Sequence, residues 1–186
     1  NRVSPIDDYP TRLLQTFMSL APPKCENPEP TVVLLTPGPM NSAYYEHSFL
    51  SDQMGIEMVQ AEDLFVDGEF LHMKTVSGPK RVDIVYRRID DNFLDPLSFN
   101  PESLIGVPGI MNVYRTGGVT ILSAPGSGIA DDKAIYVYVP EMIRFYLGQE
   151  PILDNVETWR CENASDLKYV LENLSKLVVK GVDGSG

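Results

Sequence analysis

Two adjacent arginines offer the clearest anion-binding chemistry in the sequence. Arg87 and Arg88 follow an apolar run at residues 82–86 and precede Asp90 and Asp91. A guanidinium group can grip a carboxylate or a phosphate bidentately, and adjacent residues at the end of a strand point to opposite faces. One arginine could therefore serve a ligand while the other pairs with an aspartate. A purely structural ion cluster is the alternative.

A second candidate site follows the apolar run at residues 31–36. That run is typical of a strand buried on both faces of a parallel sheet, and open sheets of this kind bind ligands at the carboxyl ends of their strands. The next residues (PGPMN) lack the glycine pattern of a dinucleotide loop. Asn41, Ser42 or the following helix N-terminus could hold a substrate group, and Ser42 is expected to cap that helix. We predict that Asn41 shares a cleft with Arg87 or Arg88; an ordinary strand-to-helix turn is the alternative.

A glycine-rich segment near the end of the sequence could hold phosphate. Lys180 closes a predicted strand at residues 177–180, and Gly184, Ser185 and Gly186 follow it. Glycines let backbone N–H groups converge on phosphate oxygens, and the lysine adds a point charge. The Walker A pattern is missing. A glycine-rich tail without a ligand is the alternative, and the end of the sequence inside this loop predicts that the chain is a fragment.

The elements that must position these residues alternate between strands and helices. We predict one mainly parallel sheet with helices on both faces, because continuous apolar strands alternate with helical patterns. The predicted sheet strands are residues 32–35, 56–59, 82–86 and 119–122. The other predicted elements are a hairpin at residues 65–73, an interrupted helix at 101–114, a mostly helical stretch at 131–147 and a helix at 166–174.

Composition excludes several classes of protein. The net charge of −11 argues against a nucleic-acid surface, which needs a basic stripe. No apolar run approaches the ~20 residues that span a bilayer, and no signal peptide is recognisable. The two cysteines are expected to be free thiols of a reducing compartment. His47 and His72 lack metal-ligand spacing and are interpreted as structural. These features predict a soluble, cytoplasmic protein.

Five linked motifs resemble the circularly permuted ATP-grasp proteins of type 2, a bacterial family related to glutathionylspermidine synthase. They are residues 36–47 (TPGPMNSAYYEH), 86–96 (YRRIDDNFLDP), 124–134 (APGSGIADDKA), 138–146 (YVPEMIRFY) and 177–180 (LVVK). The resemblance implies a three-layer, Rossmann-like pre-ATP-grasp α/β domain at residues 31–128. An N-terminal helix and linker would precede it at residues 1–30. The beginning of an ATP-grasp subdomain would follow at residues 129–186.

The resemblance also implies which residues meet which ligand. Lys133 and Lys180 look like the two lysines that contact nucleotide phosphates. The three residues Gly184, Ser185 and Gly186 look like the opening of the loop over the β- and γ-phosphates. The predicted site for the acceptor substrate consists of Asn41, Ser42, Arg87, Arg88 and Asp90.

Two departures from the family pattern limit what this chain is expected to do alone. Gly181 stands where the family usually has proline, and the family's magnesium motif would lie before Asn1, so no metal ligand is expected here. The full-length protein is expected to use ATP and Mg²⁺ to join a small-molecule or peptide carboxylate to an amine or thiol through an acyl phosphate. The fragment itself is expected to bind neither ATP nor Mg²⁺ and to be inactive. A non-catalytic substrate- or peptide-binding module that keeps the fold is the alternative.

Overall fold

The computed structural model describes residues 5–182. Its contacts divide the chain into two compact units, the first ending at Pro125 and the second beginning at Gly126. In the described range, no helix is long and apolar enough to cross a membrane.

A four-stranded parallel sheet forms the centre of the first unit, in the spatial order β2-β1-β6-β7. Its strands are β1 (Val32–Leu35), β2 (Glu57–Val59), β6 (Ile84–Arg87) and β7 (Thr120–Leu122). All three neighbouring pairs run parallel, which confirms the predicted sheet. Every residue of β1 is buried, because a central strand is covered on both faces.

Two long helices cover one face of this sheet. They are α1 (Tyr9–Met18) and α2 (Tyr44–Met54). Val32 and Leu34 of β1 pack with Phe17 of α1 and Leu50 of α2 in one apolar cluster. Burial of such side chains contributes roughly 1.5–3 kcal/mol each, so these two helices hold the β1–α2 connection firmly against the sheet.

A small antiparallel sheet and a helix cover the opposite face. The strands are β3 (Leu64–Asp67), β4 (Phe70–Met73) and β5 (Lys80–Val82), and the helix is α4 (Ile110–Arg115). Val33 and Leu35 point to this side and share a core with Leu71 and Ile110. The hairpin of β3 and β4 was predicted, but its place on the sheet face, beside a helix, was not.

The predicted strand at residues 82–86 is in fact two strands separated by Asp83. Val82 ends β5 in the antiparallel sheet, and Ile84 begins β6 in the parallel one. The buried Asp83 carboxylate accepts the backbone N–H of Thr31 at 3.0 Å and pairs with Arg81 at 2.9 Å. These bonds fix the chain at the point where it passes from one sheet to the other.

The helix predicted at residues 101–114 forms only at its end, as α4. Between α3 (Asp91–Leu94) and α4 the chain is irregular. The buried Asp95 carboxylate accepts the backbone N–H groups of Gly109 and Met111 at 3.0 Å each. A side chain at Gly106 would collide with the backbone of Phe93. Tight wrapping around Asp95 therefore replaces the first half of the predicted helix.

The second unit consists of helices and irregular chain. Its helices are α5 (Lys133–Tyr136), α6 (Val139–Leu147) and α7 (Ala164–Glu172), with 3₁₀ turns at Ser127–Asp131 and Leu174–Lys176. The helical predictions for residues 131–147 and 166–174 are confirmed, with Pro140 in the first turn of α6, where proline is tolerated.

The strand predicted at residues 177–180 is wrong. No strand occurs between residues 126 and 182, and the side chains of Val178 and Val179 are 82% and 62% exposed. An extended segment becomes a strand only when a neighbour takes up its backbone hydrogen bonds. Among residues 126–182 no neighbouring strand does so.

Candidate functional site

Strands β1 and β6 are neighbours whose following connections diverge, and the place between their carboxyl ends is called the crevice below. From β1 the chain passes through α2 to β2 on one side, whereas from β6 it passes through α4 to β7 on the other side. Helices α2 and α4 lie on opposite faces, because they belong to different apolar clusters. Divergence of two connections at neighbouring strand ends defines the topological switch point at which open α/β sheets bind ligands.

A buried threonine–histidine pair shapes the loop on the β1 side of the crevice. The hydroxyl of Thr36 lies 2.9 Å from Nδ1 of His47 and accepts the Gly38 N–H at 3.2 Å. Gly38 has a φ of +100°, a backbone conformation that favours glycine, and it approaches the Gln60 side chain at the end of β2. His47 is structural, as its isolated place in the sequence predicts.

The surroundings of His47 favour the neutral form of its imidazole. Burial lowers the pKa of its imidazole, the charge of Arg88 lowers this pKa further, and Glu46 opposes the change. A neutral ring has one nitrogen that accepts a hydrogen bond, so Nδ1 can accept a hydrogen bond from the Thr36 hydroxyl. The pair thereby fixes the first turn of α2 to the end of β1.

Asn41 and Ser42 lie on the exposed surface of the same loop. Oδ1 of Asn41 accepts the Ala43 N–H at 2.9 Å. The expected cap by Ser42 is wrong, because α2 begins after Ala43 and has no side-chain cap. Asn41 organises the turn instead, since its longer side chain reaches two residues ahead.

Arg87 is the structural member of the arginine pair. Its side chain is only 7% exposed and pairs with Asp91 at 2.8 Å. It also donates to the carbonyl oxygens of Ser123, Ile89 and Ala124 at 2.7, 2.6 and 3.2 Å. The guanidinium therefore joins the ends of β6 and β7.

Arg88 occupies the crevice side of β6. Its backbone N–H donates to the Leu35 carbonyl at 2.8 Å, which places it beside the end of β1. The guanidinium is 27% exposed, pairs with Glu46 of α2 at 2.5 Å and donates to the Tyr86 hydroxyl at 3.1 Å. Of the two arginines, Arg88 is thus the one whose charge is accessible to a ligand.

Asp90 and Asp95 continue the loop after β6. Asp90 is exposed and immediately precedes α3 without a side-chain cap bond. Asp95 is fully buried and accepts backbone N–H groups from the loop before α4. The sequence does not reveal this role of Asp95, because these two partners lie 14 and 16 residues further along the chain.

The residues predicted to meet the nucleotide lie in the second unit. Lys133 begins α5, where its backbone N–H donates to the Val182 carbonyl at 3.2 Å and Asp132 caps the helix by accepting the Ala134 N–H. Lys180 is exposed. The predicted glycine-loop residues Gly184, Ser185 and Gly186 lie outside the described residues.

The second unit contains lysines that could bind phosphate, whereas the described residues contain no cluster that could bind a metal ion. Lys133 and Lys180 are both in the second unit and can supply positive charge to an anionic ligand. Within residues 5–182, no group of three or more histidine, cysteine, aspartate or glutamate side chains could hold a metal ion.

Taken together, these elements define an α/β domain with a parallel four-stranded sheet and a separate antiparallel sheet. Sequence comparison gives the family. The sequence model of the circularly permuted ATP-grasp type 2 family matches residues 1–186, and the chain belongs to that family.

The chain matches only part of the length of its curated relatives. It is 54% identical to an uncharacterized protein of Synechocystis sp. over 184 residues, which cover 99% of this chain and 38% of the relative. It is 48% identical to an uncharacterized protein of Mycobacterium tuberculosis over 186 residues, covering 100% of this chain and 33% of the relative. The chain thus spans between a third and two fifths of these relatives.

A third relative has a functional name. A Frankia alni protein named as a candidate glutamate–cysteine ligase is 41% identical over 177 residues, which cover 95% of this chain and 20% of that protein.

Proposed function

We propose that this chain is the substrate-recognition part of an ATP-dependent ligase that joins a carboxylate to an amine or a thiol. Membership of the ATP-grasp family supports this proposal, as do the ligase names of two Frankia relatives. The observation that carries the substrate assignment is Arg88, an accessible guanidinium at the topological switch point.

In the proposed reaction a substrate carboxylate oxygen attacks the γ-phosphorus of ATP and ADP leaves. The amine or thiol then attacks the acyl carbon, phosphate departs, and the nucleophile loses its proton. ATP with Mg²⁺ supplies the phosphoryl group and the charge neutralisation when bound.

We assign the acceptor substrate to the crevice. Arg88 would bind an anionic group, and Asn41, Ser42 and Asp90 would offer polar contacts from the exposed loops on either side. Arg87 would hold the loop after β6 in place. The predicted acceptor site thus divides into one buried structural arginine and four more accessible residues.

We assign the nucleotide to the second unit. Lys133 and Lys180 would contact its phosphates, and Gly184, Ser185 and Gly186 would open the covering loop. The proposed domains remain a helix and linker at residues 1–30, a pre-ATP-grasp domain at 31–128 and the beginning of the ATP-grasp subdomain at 129–186. Use of ATP and small substrates further suggests a cytoplasmic enzyme.

The test is ADP release by the full-length protein, with Mg²⁺ and a panel of carboxylates, amines and thiols. We expect turnover with one carboxylate and one nucleophile, and a higher KM for one of these substrates in Arg88→Gln. Glu69→Gln, a substitution at the β3–β4 turn, should leave KM unchanged. We expect the isolated 186-residue chain to release no ADP. A full-length protein that binds a panel member without ADP release would instead be a binding module.

A further inference from the structure

The accessible arginine of the crevice, Arg88, is already paired with a carboxylate of the protein itself, that of Glu46. Oε1 of Glu46 lies 2.5 Å from one terminal nitrogen of Arg88, and the Glu46 side chain is 54% exposed. The other terminal nitrogen of Arg88 donates to the Tyr86 hydroxyl at 3.1 Å. Glu46 thus contacts the guanidinium through a single bond and keeps about half of its surface in water.

The comparison with Arg87 shows why this contact can be exchanged. Arg87 is enclosed by Asp91 and three carbonyl oxygens, with 7% of its side chain exposed. Exposed ion pairs contribute only about 0–1 kcal/mol, whereas a buried charge that loses its partner is strongly destabilising. A ligand can therefore displace Glu46 from Arg88 at little cost.

We propose that Glu46 is a displaceable counter-ion that holds Arg88 ready for a carboxylate of the substrate. This inference rests on the proposed function in placing the substrate at the crevice. The incoming carboxylate takes the position of Glu46 on Arg88, and Glu46 turns into solvent. Glu46 thus competes with the substrate and sets its affinity.

The groups around Arg88 fit the two oxygens of a carboxylate. The guanidinium already makes a contact of carboxylate type with Glu46. The Tyr86 hydroxyl accepts from Arg88 and, among the described residues, makes no other hydrogen bond, so its proton can be donated to the second carboxylate oxygen. One planar donor group and one hydroxyl match the two oxygens of a carboxylate.

The test is an NMR titration of the 186-residue chain with glutarate, and separately with inorganic phosphate, following the Arg88 side-chain Nε–H signal. The variants are Glu46→Gln, Arg88→Lys and the matched control Glu69→Gln. Glu69 is also an exposed carboxylate paired with a cation, Lys24 at 2.8 Å. Its backbone lies against Gly118, before the start of β7, at the amino edge of the parallel sheet. Each glutamate variant therefore removes one negative charge, but only one does so at the crevice.

We expect Glu46→Gln to bind glutarate about two- to fivefold more tightly than the wild type, the factor that an exposed ion pair is worth. Glu69→Gln should match the wild type. Arg88→Lys lacks the Nε–H signal, so its glutarate binding is monitored through the backbone amide signals of residues 36–46. Binding should fall about tenfold or more in this variant, because lysine lacks the planar guanidinium of arginine.

Equal or weaker glutarate binding in Glu46→Gln would show that Glu46 only positions Arg88, and would overturn the inference. Phosphate binding tighter than glutarate in the same variant would overturn the carboxylate assignment. Neither outcome depends on ATP. Failure of the ligase proposal would instead appear as absent ADP release in a protein that still binds glutarate at Arg88.

Discussion

Replacing each of the adjacent arginines by methionine separates their two roles. Methionine keeps much of the apolar stem of arginine and removes its charge. Arg87→Met deletes the bonds that join the ends of β6 and β7, whereas Arg88→Met deletes one exposed ion pair and one bond to Tyr86. The first variant should therefore lose stability, whereas the second should lose ligand binding without a comparable loss of stability.

The size of the Arg87 effect follows from its burial and from what each partner can do afterwards. Removing one member of a buried ion pair typically costs about 3–5 kcal/mol. Asp91 is 23% exposed, and Ser123 and Ala124 are exposed residues, so hydration should offset part of this cost. We therefore expect roughly 2–4 kcal/mol for Arg87→Met, and about 0–1 kcal/mol for Arg88→Met, whose pair is exposed.

Urea unfolding measures both effects, provided that the probe reports on the first unit. The single tryptophan, Trp159, belongs to the second unit, so its fluorescence follows the wrong part of the chain. Amide NMR signals of β1 and β6 report directly on the parallel sheet. Equal losses of stability in the two variants, or a larger loss in Arg88→Met, would refute the division of roles.

Three further perturbations test other parts of the structure. The pKa of His47 is lower in the folded than in the unfolded chain, so stability should fall from about pH 7 to about pH 5.5, by at most about 1.4 kcal/mol per pH unit. His47→Asn should remove that component of the slope, and urea unfolding at several pH values measures the difference. Gly106→Ala should destabilise the first unit by about 1–3 kcal/mol or more, because the new methyl group meets the Phe93 carbonyl; an unchanged midpoint would contradict the close approach. In the full-length protein, Lys180→Ala should weaken ATP binding by roughly 1.5–3 kcal/mol, measured by calorimetry, and unchanged affinity would make Lys180 structural.

The parallel sheet could be predicted from the sequence because its signal is local. A continuous apolar run such as residues 31–36 predicts a doubly buried strand without knowledge of its neighbours. The strand order could not be predicted in the same way, since it depends on which strands pair across long stretches of chain. The predicted cleft of Asn41 with Arg87 or Arg88 required β1 and β6 to be neighbours, which the structure confirms, but the places of β2 and β7 on the two outer sides emerged only from the structure.

Two errors in the secondary structure have a common physical cause, which is a partner that lies elsewhere in the chain. Residues 101–109 carry a partly helical pattern, but the Asp95 carboxylate takes up the N–H groups of Gly109 and Met111. Residues 177–180 carry a strand pattern, yet no strand pairs with them within residues 126–182. A local helical pattern forms a helix only where no distant group takes up its backbone N–H groups. A local strand pattern forms a strand only where a neighbouring strand is present.

The arginine pair shows how far the sequence could define the site. Adjacent positions at a strand end predicted opposite faces and divided roles, but not which arginine had which role. That choice depends on what covers each face. The Arg88 side of β6 faces α2, which contributes Glu46, whereas the Arg87 side meets the loops after β6 and β7.

One dipeptide thus closes the edge of the sheet on one side and presents a charge to the crevice on the other. Arg87 therefore holds in place the loop from which Arg88 contacts a ligand. A substitution of Arg87 should reduce ligand affinity indirectly, because the loop after β6 becomes less ordered. A substitution of Arg88 should reduce ligand affinity directly. Titration of Arg87→Lys with glutarate distinguishes the two, because loss of affinity there should be accompanied by a loss of stability that Arg88→Lys does not show.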